Sequence, residues 1–539
     1  MAGLVSREVA DETTQGAGQV RAAEVIGALC LATDLGMGFP FEHGLHTTLV
    51  ASRLADGLGV DAVRASQTFY ACLLSHSGCT TDAHVTAEVF GDSLVTHFNP
   101  VMYGSGREVF TGLLGALPQP GRAAPVRALQ IARRLPRLAR AQRPHLTAMC
   151  EVAQMLADGV GLPPAVQGLL AHLTDRWDGK SPASRAKGDE IPLPMRIVHV
   201  AVDATFQRLV GGEEHVVRVV RQHAGHGLDP KVAACLAEDA REMLAFDPEG
   251  SAWDEVLARE PQPRLMLEGE AIERALAAMG GFADLISPYL AGHSAGVAGL
   301  ARAAATRCRL GAVGAMTVGR AALVHDLGRV AVGARTWQKA GPLTADEREQ
   351  VRLHAYHTER VLSRSAFLSA LAPVAGAHHE RLDGSGYHRG AAGAELALPA
   401  RLLAAADACH ALTEPRPHRD ALAPERAAEM LASEANAGRL DPDAVAGVVE
   451  AAGQRVPRLE RPAGLTDREA EVVGLLARGL QTKQVARALG ISVKTADHHI
   501  QNAYEKIGVS TRAAATLFAM QHGLVAWGEL PMVRTARRS

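Results

Sequence analysis

From Leu465 onward the chain places apolar residues at helical intervals and punctuates each helix at both ends. Thr466 followed by Glu469 predicts a capping box, in which the hydroxyl takes the backbone N–H three residues on and the carboxylate reaches back. Val472, Val473, Leu475 and Leu476 form an apolar stripe that ends at Gly479, a C-cap glycine. A second short helix, Lys483 to Leu489, stops at Gly490, and Ser492 caps a third in which Val493, Ala496, Ile500 and Ala503 share one face. Lys494, Thr495, Asp497, His498 and Gln501 are left facing outward. Two helices joined by a tight glycine-containing turn predict a helix-turn-helix, whose second member can lie in a DNA major groove.

Upstream the pattern is also helical, and it repeats loosely over a long period. The first half carries His43-Gly-Leu-His46, Leu73-Leu74-Ser75-His76-Ser77-Gly78, Arg176-Trp177-Asp178-Gly179, Pro194-Met195-Arg196 and Gly227-Leu228-Asp229-Pro230. The second half gives, in the same order, His293-Ser294, Leu323-Val324-His325-Asp326-Leu327-Gly328, Arg381-Leu382-Asp383-Gly384, Pro399-Ala400-Arg401 and Gly438-Arg439-Leu440-Asp441-Pro442. A duplicated helical domain accounts for this order. The expected architecture is all-α, with domains at 20–250, 265–453 and 460–530 and linkers at 245–265 and 454–464. The first copy has extra residues between about 80 and 145, including the arginine-rich stretch Arg122 to Arg143. That stretch reads as an exposed helix pair broken at Pro136, its arginines in water, rather than as a binding patch.

At 539 residues the chain has room for three or four domains, and 4% aromatics favours closely packed helices over sheet. Charge sharpens the picture only when it is divided. Residues 461–539 hold 11 Lys/Arg and 6 Asp/Glu, so this tail is +5 in a chain of net charge −2, and the remainder is −7. A basic end on an acidic body suits nucleic-acid binding. The seven scattered cysteines form no C-x-x-C pair, which argues against a disulfide framework. No apolar run approaches the roughly 18–20 residues that span a membrane, and the polar, acidic start is no signal peptide. The expected compartment is the cytoplasm.

Between His293 and Asp407 a histidine and carboxylate series lies in helical surroundings: His293, His325, Asp326, His354, His378, His379 and Asp407. Mixed imidazole and carboxylate ligands suit two divalent transition-metal ions (iron, manganese, zinc or nickel) better than calcium. An Asp beside a His can bridge two metals, which activate a water and neutralise a phosphate.

Two family resemblances rest on these residues. Leu-Thr-Asp-Arg-Glu-Ala-Glu-Val (465–472), Ala-Arg-Gly-Leu (477–480), Ile-Ser-Val-Lys-Thr (491–495), His499 and Lys-Ile-Gly-Val-Ser-Thr-Arg (506–512) resemble the LuxR-type helix-turn-helix, with Ala496 where that family has valine. The resemblance implies a four-helix unit that binds double-stranded DNA through a recognition helix from Ser492 to Tyr504, and a homodimer face at Thr511 to Leu524. Lys494 and Thr495 would meet phosphates, and Asp497, His498 and Gln501 base edges. His325-Asp326-Leu327-Gly328-Arg329, His378-His379-Glu380-Arg381-Leu382-Asp383-Gly384-Ser385-Gly386-Tyr387 and Ala406-Asp407-Ala408 are similar to the HD-GYP branch of the HD superfamily, helical metal-dependent hydrolases of cyclic dinucleotides. That resemblance implies the seven metal ligands above, with Asp326 as bridge, and a substrate loop of Arg381, Asp383, Gly384, Gly386 and Tyr387. Three departures stand out. Arg329 replaces the family's lysine and can hold phosphate, but it is a poor proton donor because it stays charged. His388 replaces the final proline, which is expected to loosen the loop. Tyr289 replaces the glutamate that brings a third metal, so two are expected.

The first copy keeps His43 and His76 but has Ser77 for the bridging Asp, Leu173-Thr174 for the histidine pair, and Val202 for Asp407, with Asp203 one residue out of phase. It is expected to hold no metal pair and to serve in dimerisation, sensing or packing. The leading reading is a DNA-binding regulator whose metal domain senses or hydrolyses a cyclic dinucleotide. The alternatives are a cyclic di-GMP phosphodiesterase with an accessory DNA module, and an interaction protein with two inert copies.

Overall fold

The computed structural model describes residues 18–80, 101–117, 123–247 and 250–530. Arg122, at the start of the arginine-rich stretch, and Pro248-Glu249 of the first linker lie outside them. The chain is predominantly helical and divides into two compact units. The first takes residues up to Ala291 with Leu327–Gln338 and Arg360–Ala370; the second takes Gly292–Asp326, Lys339–Glu359 and residues from Leu371 onward.

In the first unit, β1 (Gln19–Arg21) leads into α1 (Ala22–Met37), α2 (His43–Gly57) and α3 (Ala62–Leu73). α4 (Ala124–Gly159) follows, then α5 (Leu193–Val210), α6 (Glu213–His223) and α7 (Pro230–Glu238); β2 (Met266–Glu268) leads into α8 (Glu270–Asp284). α2 packs against α3 and α5 through side chains such as Leu45, Leu49, Leu54, Phe69 and Val198, all fully or almost fully buried. β1 and β2 pair antiparallel, Val20 opposite Leu267. Strands of three residues carry no alternation long enough to read, so this small sheet was invisible in the sequence.

α4 corrects the broken helix pair. It runs 36 residues with Pro136 and Pro144 inside it. A proline removes one helical hydrogen bond and crowds the preceding turn, a cost of about 3 kcal/mol that bends a helix without necessarily ending it. Arg127, Arg133, Arg140 and Arg143 are exposed, in line with the solvated reading, whereas Arg134 is half-buried and donates to Leu117 O at 2.5 Å.

In the second unit, α9 (His293–Arg307) and α10 (Gly311–Val324) precede α11 (Ala345–Leu362), whose residues up to Glu359 belong here. α12 (Leu398–Thr413), α13 (Pro424–Asn436) and α14 (Pro442–Ala451) follow, and α9 packs against α10, α12 and α14. The element order of the first copy therefore recurs, and its landmarks have physical reasons. Asp229 caps α7 by accepting from Lys231 N, and Asp441 caps α14 by accepting from Asp443 N and Ala444 N; each is followed by a proline at the helix start. The landmark arginine of each copy then pairs with that capping carboxylate: Arg196 with Asp229 at 2.8 Å, and Arg401 with Asp441 at 3.0 Å.

The last four helices are α15 (Asp467–Ala477), α16 (Thr482–Leu489), α17 (Val493–Ile507) and α18 (Arg512–Gln521). The Thr466/Glu469 capping box forms, Gly490 ends α16 in the left-handed conformation, and Ser492 caps α17 by accepting from Thr495 N. Val472, Leu476, Val485, Ala486, Ala496 and Ile500 form one apolar cluster, and Leu465, Val473, Ala503, Ala519 and Val525 another. Val493 departs from the expected face: it is 46% exposed, because the first helical residue stands beyond the edge of the cluster.

α18 does not stand apart from the rest of its unit. Arg401, buried on α12, donates from Nε to Leu396 O at 2.6 Å and from Nη2 to Gly393 O at 3.3 Å. Its Nη1 reaches Gly523 O, just past α18. Gly393 has φ +47° and lies so close to the Met520 carbonyl that a Cβ there would overlap it. Among the described residues no helix is long and apolar enough to cross a membrane, and Cys30, Cys72, Cys150, Cys235, Cys308 and Cys409 are unbridged.

Candidate metal centre and DNA-facing helix

All seven residues expected as metal ligands lie in the second unit, and the fold brings them together. His293 begins α9, His325-Asp326 follow α10, His354 lies on α11, His378-His379 precede the loop, and Asp407 is on α12. Asp326 and His325 are fully buried, and Asp407 is 3% exposed.

The geometry divides into two halves about the Asp326 carboxylate. Oδ2 lies 2.9 Å from His325 Nε2 and 3.5 Å from His293 Nε2, while Asp407 Oδ1 lies 3.1 Å from His293 Nε2. Oδ1 lies 3.2 Å from His354 Nε2 and 3.4 Å from His378 Nε2. His354, His378 and His379 themselves converge within ligand-sharing distance. One carboxylate with each oxygen facing a separate set of nitrogens is the shape of a bridge.

The donor chemistry fits metal ions. His325, His354 and His378 each direct Nδ1 at the carbonyl three residues back: Ala322 at 2.7 Å, Val351, and Ala375 at 2.6 Å. A hydrogen bond there fixes the Nδ1–H tautomer and leaves a lone pair on Nε2 aimed inward. His354 Nε2 and His378 Nε2 consequently face each other at 3.1 Å. Two lone pairs at that distance repel unless a cation or a proton lies against them.

On the His378 and His379 side the electrostatics agree, whereas on the His325 side a proton on the ring balances the carboxylates. Burial pushes His378 down to about 4 and, with His378 as neighbour, His379 well below its usual range, so both stay neutral and ready to donate. Burial would lower His325 too, but the Asp326 and Asp407 carboxylates raise it to about 9. Burial would raise Asp407, yet hydrogen bonds from His293 and His325 hold it well below the carboxylate range.

The loop is better held than the proline-to-histidine change suggested. His388 sits at φ +22°, a backbone conformation that the proline ring would forbid. Glu380 accepts from Arg389 N and Ala391 N, both at 3.1 Å, and so pins the segment after His388. Asp383 accepts from Ser385 N at 3.0 Å, Gly384 takes φ +77°, and Arg381 donates to Glu380 O at 2.9 Å. Gly386 passes within 2.5 Å of Glu380 Cα, measured from where its Cβ would be, so only glycine fits. Tyr387 lays its ring 4.4 Å from that of His379. Arg329 belongs to the Leu327–Gln338 segment of the first unit, where its guanidinium lies 5.4 Å from the Trp337 ring.

Sequence reasoning missed three polar neighbours. Arg352 donates to Gly386 O at 3.1 Å and lies over Tyr387; two residues before His354, it carried no motif signal. Glu414 accepts from His293 Nδ1 at 2.8 Å, and His410 Nδ1 lies 3.1 Å from the same carboxylate. The spacing of Asp407, His410 and Glu414, three and seven residues along one helix face, was the available signal.

The first copy builds something else at the matching place. His43 and His76 have their rings 6.2 Å apart, with Phe39 4.5 Å from His43 and Phe206 6.1 Å from Phe39. Ser77 Oγ donates to Leu74 O at 2.7 Å. Asp203 turns to His223 Nδ1 at 2.7 Å and Gln207 Nε2 at 3.0 Å.

On α17, Lys494, Thr495, Asp497, His498 and Gln501 are all exposed, while Ala496 and Ile500 face the core. The outward face expected for DNA contact is open.

Residues 281–444 match the HD domain family, and residues 463–519 match the family described as bacterial regulatory proteins, LuxR family. The chain is 26% identical over 446 residues to the 3'3'-cGAMP-specific phosphodiesterase 3 of Vibrio cholerae, covering 80% of this chain and 94% of that protein. A cyclic di-GMP phosphodiesterase response regulator of Xanthomonas campestris is 40% identical over 103 residues, 19% of this chain and 27% of its own length. The fold is shared with a crystal structure of a cyclic GMP-AMP-specific phosphodiesterase of Vibrio cholerae, at a TM-score of 0.55 and 24% identity, over 81% of this chain and 98% of that one.

Proposed function

From a chain that carries an HD domain followed by a C-terminal LuxR-type helix-turn-helix domain, we propose a DNA-binding transcription regulator whose HD domain senses or hydrolyses a cyclic dinucleotide at a pair of divalent transition-metal ions. The observation that carries this reading is the contact within the second unit between α18 and the segment that follows the substrate loop, made by Gly393 and Arg401. The α12 helix that presents Asp407 to the metal centre also presents Arg401 to the DNA-binding domain.

His293, His325, Asp326 and Asp407 would hold one ion and His354, His378 and His379 the other, with Asp326 between them. A bound pair of divalent ions supplies Lewis acidity that lowers the pKa of water and neutralises phosphate charge. The residues do the rest. Nδ1 bonds to backbone carbonyls orient His325, His354 and His378, Glu414 takes that place for His293, and Arg352 and Glu380 hold the loop that carries Tyr387 beside His379. Lys494 and Thr495 would meet phosphates, and Asp497, His498 and Gln501 base edges in the major groove. A site on a cytoplasmic regulator that changes the seating of Arg401 changes DNA affinity, provided its ligand binds the two arrangements unequally.

A second reading, a phosphodiesterase with an accessory DNA module, is favoured by the likeness to the Vibrio phosphodiesterase across 80% of this chain. One experiment separates the two. Purified protein is incubated with 3'3'-cGAMP or cyclic di-GMP and manganese or iron, with products read by chromatography, while gel shift with genomic fragments reads DNA binding. Rapid turnover without specific DNA binding favours the enzyme; specific binding abolished by Lys494→Ala with Gln501→Ala supports the regulator. DNA binding that survives deletion of residues 461–539 removes the regulator reading.

A further inference from the structure

Three of the five cage histidines are oriented alike, and His293 is not. His325, His354 and His378 each find a backbone carbonyl three residues back for Nδ1. His293 is the first residue of α9, so no carbonyl of its own helix lies three residues behind it. Its Nδ1 meets the Glu414 carboxylate instead, at 2.8 Å.

Glu414 is itself fixed from several directions. It sits at the C-cap of α12, two turns past Asp407, and Arg416 Nη2 donates to its Oε2 at 2.7 Å. His410 Nδ1 lies 3.1 Å from Oε1, and its ring stands in a space that α9 leaves open at Gly296, where any Cβ would overlap the imidazole. Arg419 Nη1 donates to the carbonyls of Leu412 and Glu414, at 3.1 and 3.2 Å, and so anchors the backbone there. A carboxylate held this way does two things for a ring that donates to it. It selects the Nδ1–H tautomer, and it raises the electron density on Nε2 more than a neutral carbonyl does.

Resting on the metal-centre reading above, we propose that Glu414 is the positioning residue of His293: it orients that ring and sets the metal affinity of the half of the centre built by His293, His325, Asp326 and Asp407, while in the other half backbone carbonyls orient His354 and His378. The sequence motifs assign no role to position 414, and nothing in the likeness to phosphodiesterases names it.

The test is metal titration of full-length, chelator-stripped protein with manganese or zinc, followed by competition with a chromophoric chelator. Wild type should bind two ions in resolved steps, and His354→Ala should remove one of them. Glu414→Ala should weaken the other step by about 10–100-fold; Glu414→Gln, which keeps the size but not the charge, should weaken it less, and both should leave the remaining step unchanged. Weakening of both steps together would mean general destabilisation and overturn the proposal, as would two unchanged steps in Glu414→Ala. Fewer than one ion bound by wild type would instead remove the metal centre itself, and this inference with it.

Discussion

At the scale of single residues, burial without a charge partner decides how the two copies respond to acid. Burial, reinforced by His76 and His46, pushes His43 down to about 3, and burial alone pushes His76 down to about 4. Burial also brings His199 to about 4, against the raising effect of Asp175. The unfolded chain takes up a proton on each of these near pH 6.5, whereas the folded chain does not until pH 3–4. The unfolded state therefore binds more protons in that window, so the stability these residues allow is complete above pH 6.5 and is lost as the pH falls toward 4. Each contributes a slope of up to about 1.4 kcal/mol per pH unit. Thermal melts of metal-free protein between pH 7.5 and 5 should show this fall, and His43→Leu should make it shallower; an equal slope in the variant would refute the assignment. In the second copy carboxylate partners change the outcome at His325, which Asp326 and Asp407 raise to about 9. Asp326 facing both histidine sets makes Asp326→Asn the substitution with the largest expected effect on metal content, from two ions to fewer than one by elemental analysis.

At the scale of elements, the contact of α18 with the Gly393–Glu395 turn rests on close approach rather than on burial of large side chains. Gly393→Val would drive a branched side chain into the Met520 carbonyl and cost about 1–3 kcal/mol, like other overpacking. Hydrogen exchange across 512–525 should accelerate in that variant, while α15, capped by its own Thr466/Glu469 box, keeps its protection. Equal acceleration in both helices would mean that the whole domain had loosened instead. This difference also explains what the sequence made legible. α15 to α17 were readable because capping boxes, C-cap glycines and apolar spacing are signals within a few residues of each other. The cage histidines were readable because His-Asp and His-His pairs are conspicuous wherever they fold to. Glu414 against His293, Arg352 against Gly386 and Arg401 against Gly523 join positions 121, 34 and 122 residues apart, and no local pattern marks them. The continuity of α4 through Pro136 was hidden for the opposite reason: a local signal was strong, and the surrounding helix overrode it.

At the scale of the molecule, the second unit holds the candidate metal centre, the loop and α17 in one compact body, and Arg401 bonds Asp441 at the start of α14 and Gly523 just past α18. Thermodynamic linkage then fixes what must be observed if a cyclic dinucleotide is sensed there. Whatever factor the nucleotide applies to DNA affinity, DNA must apply to nucleotide affinity. On the proposed function Lys494 and Gln501 would meet DNA alone, so Lys494→Ala should lower the steepness of log affinity against log salt by about one unit and leave nucleotide binding unchanged. Arg401→Ala bears on the path. It should bring the coupling factor toward one while each ligand, titrated alone, still binds. Fluorescence titrations of DNA with and without a non-hydrolysable cyclic dinucleotide, and of nucleotide with and without DNA, give both factors. A factor above one that persists unchanged in Arg401→Ala would show that coupling runs by another route, and a factor of one in wild type would leave the two sites as neighbours that act independently.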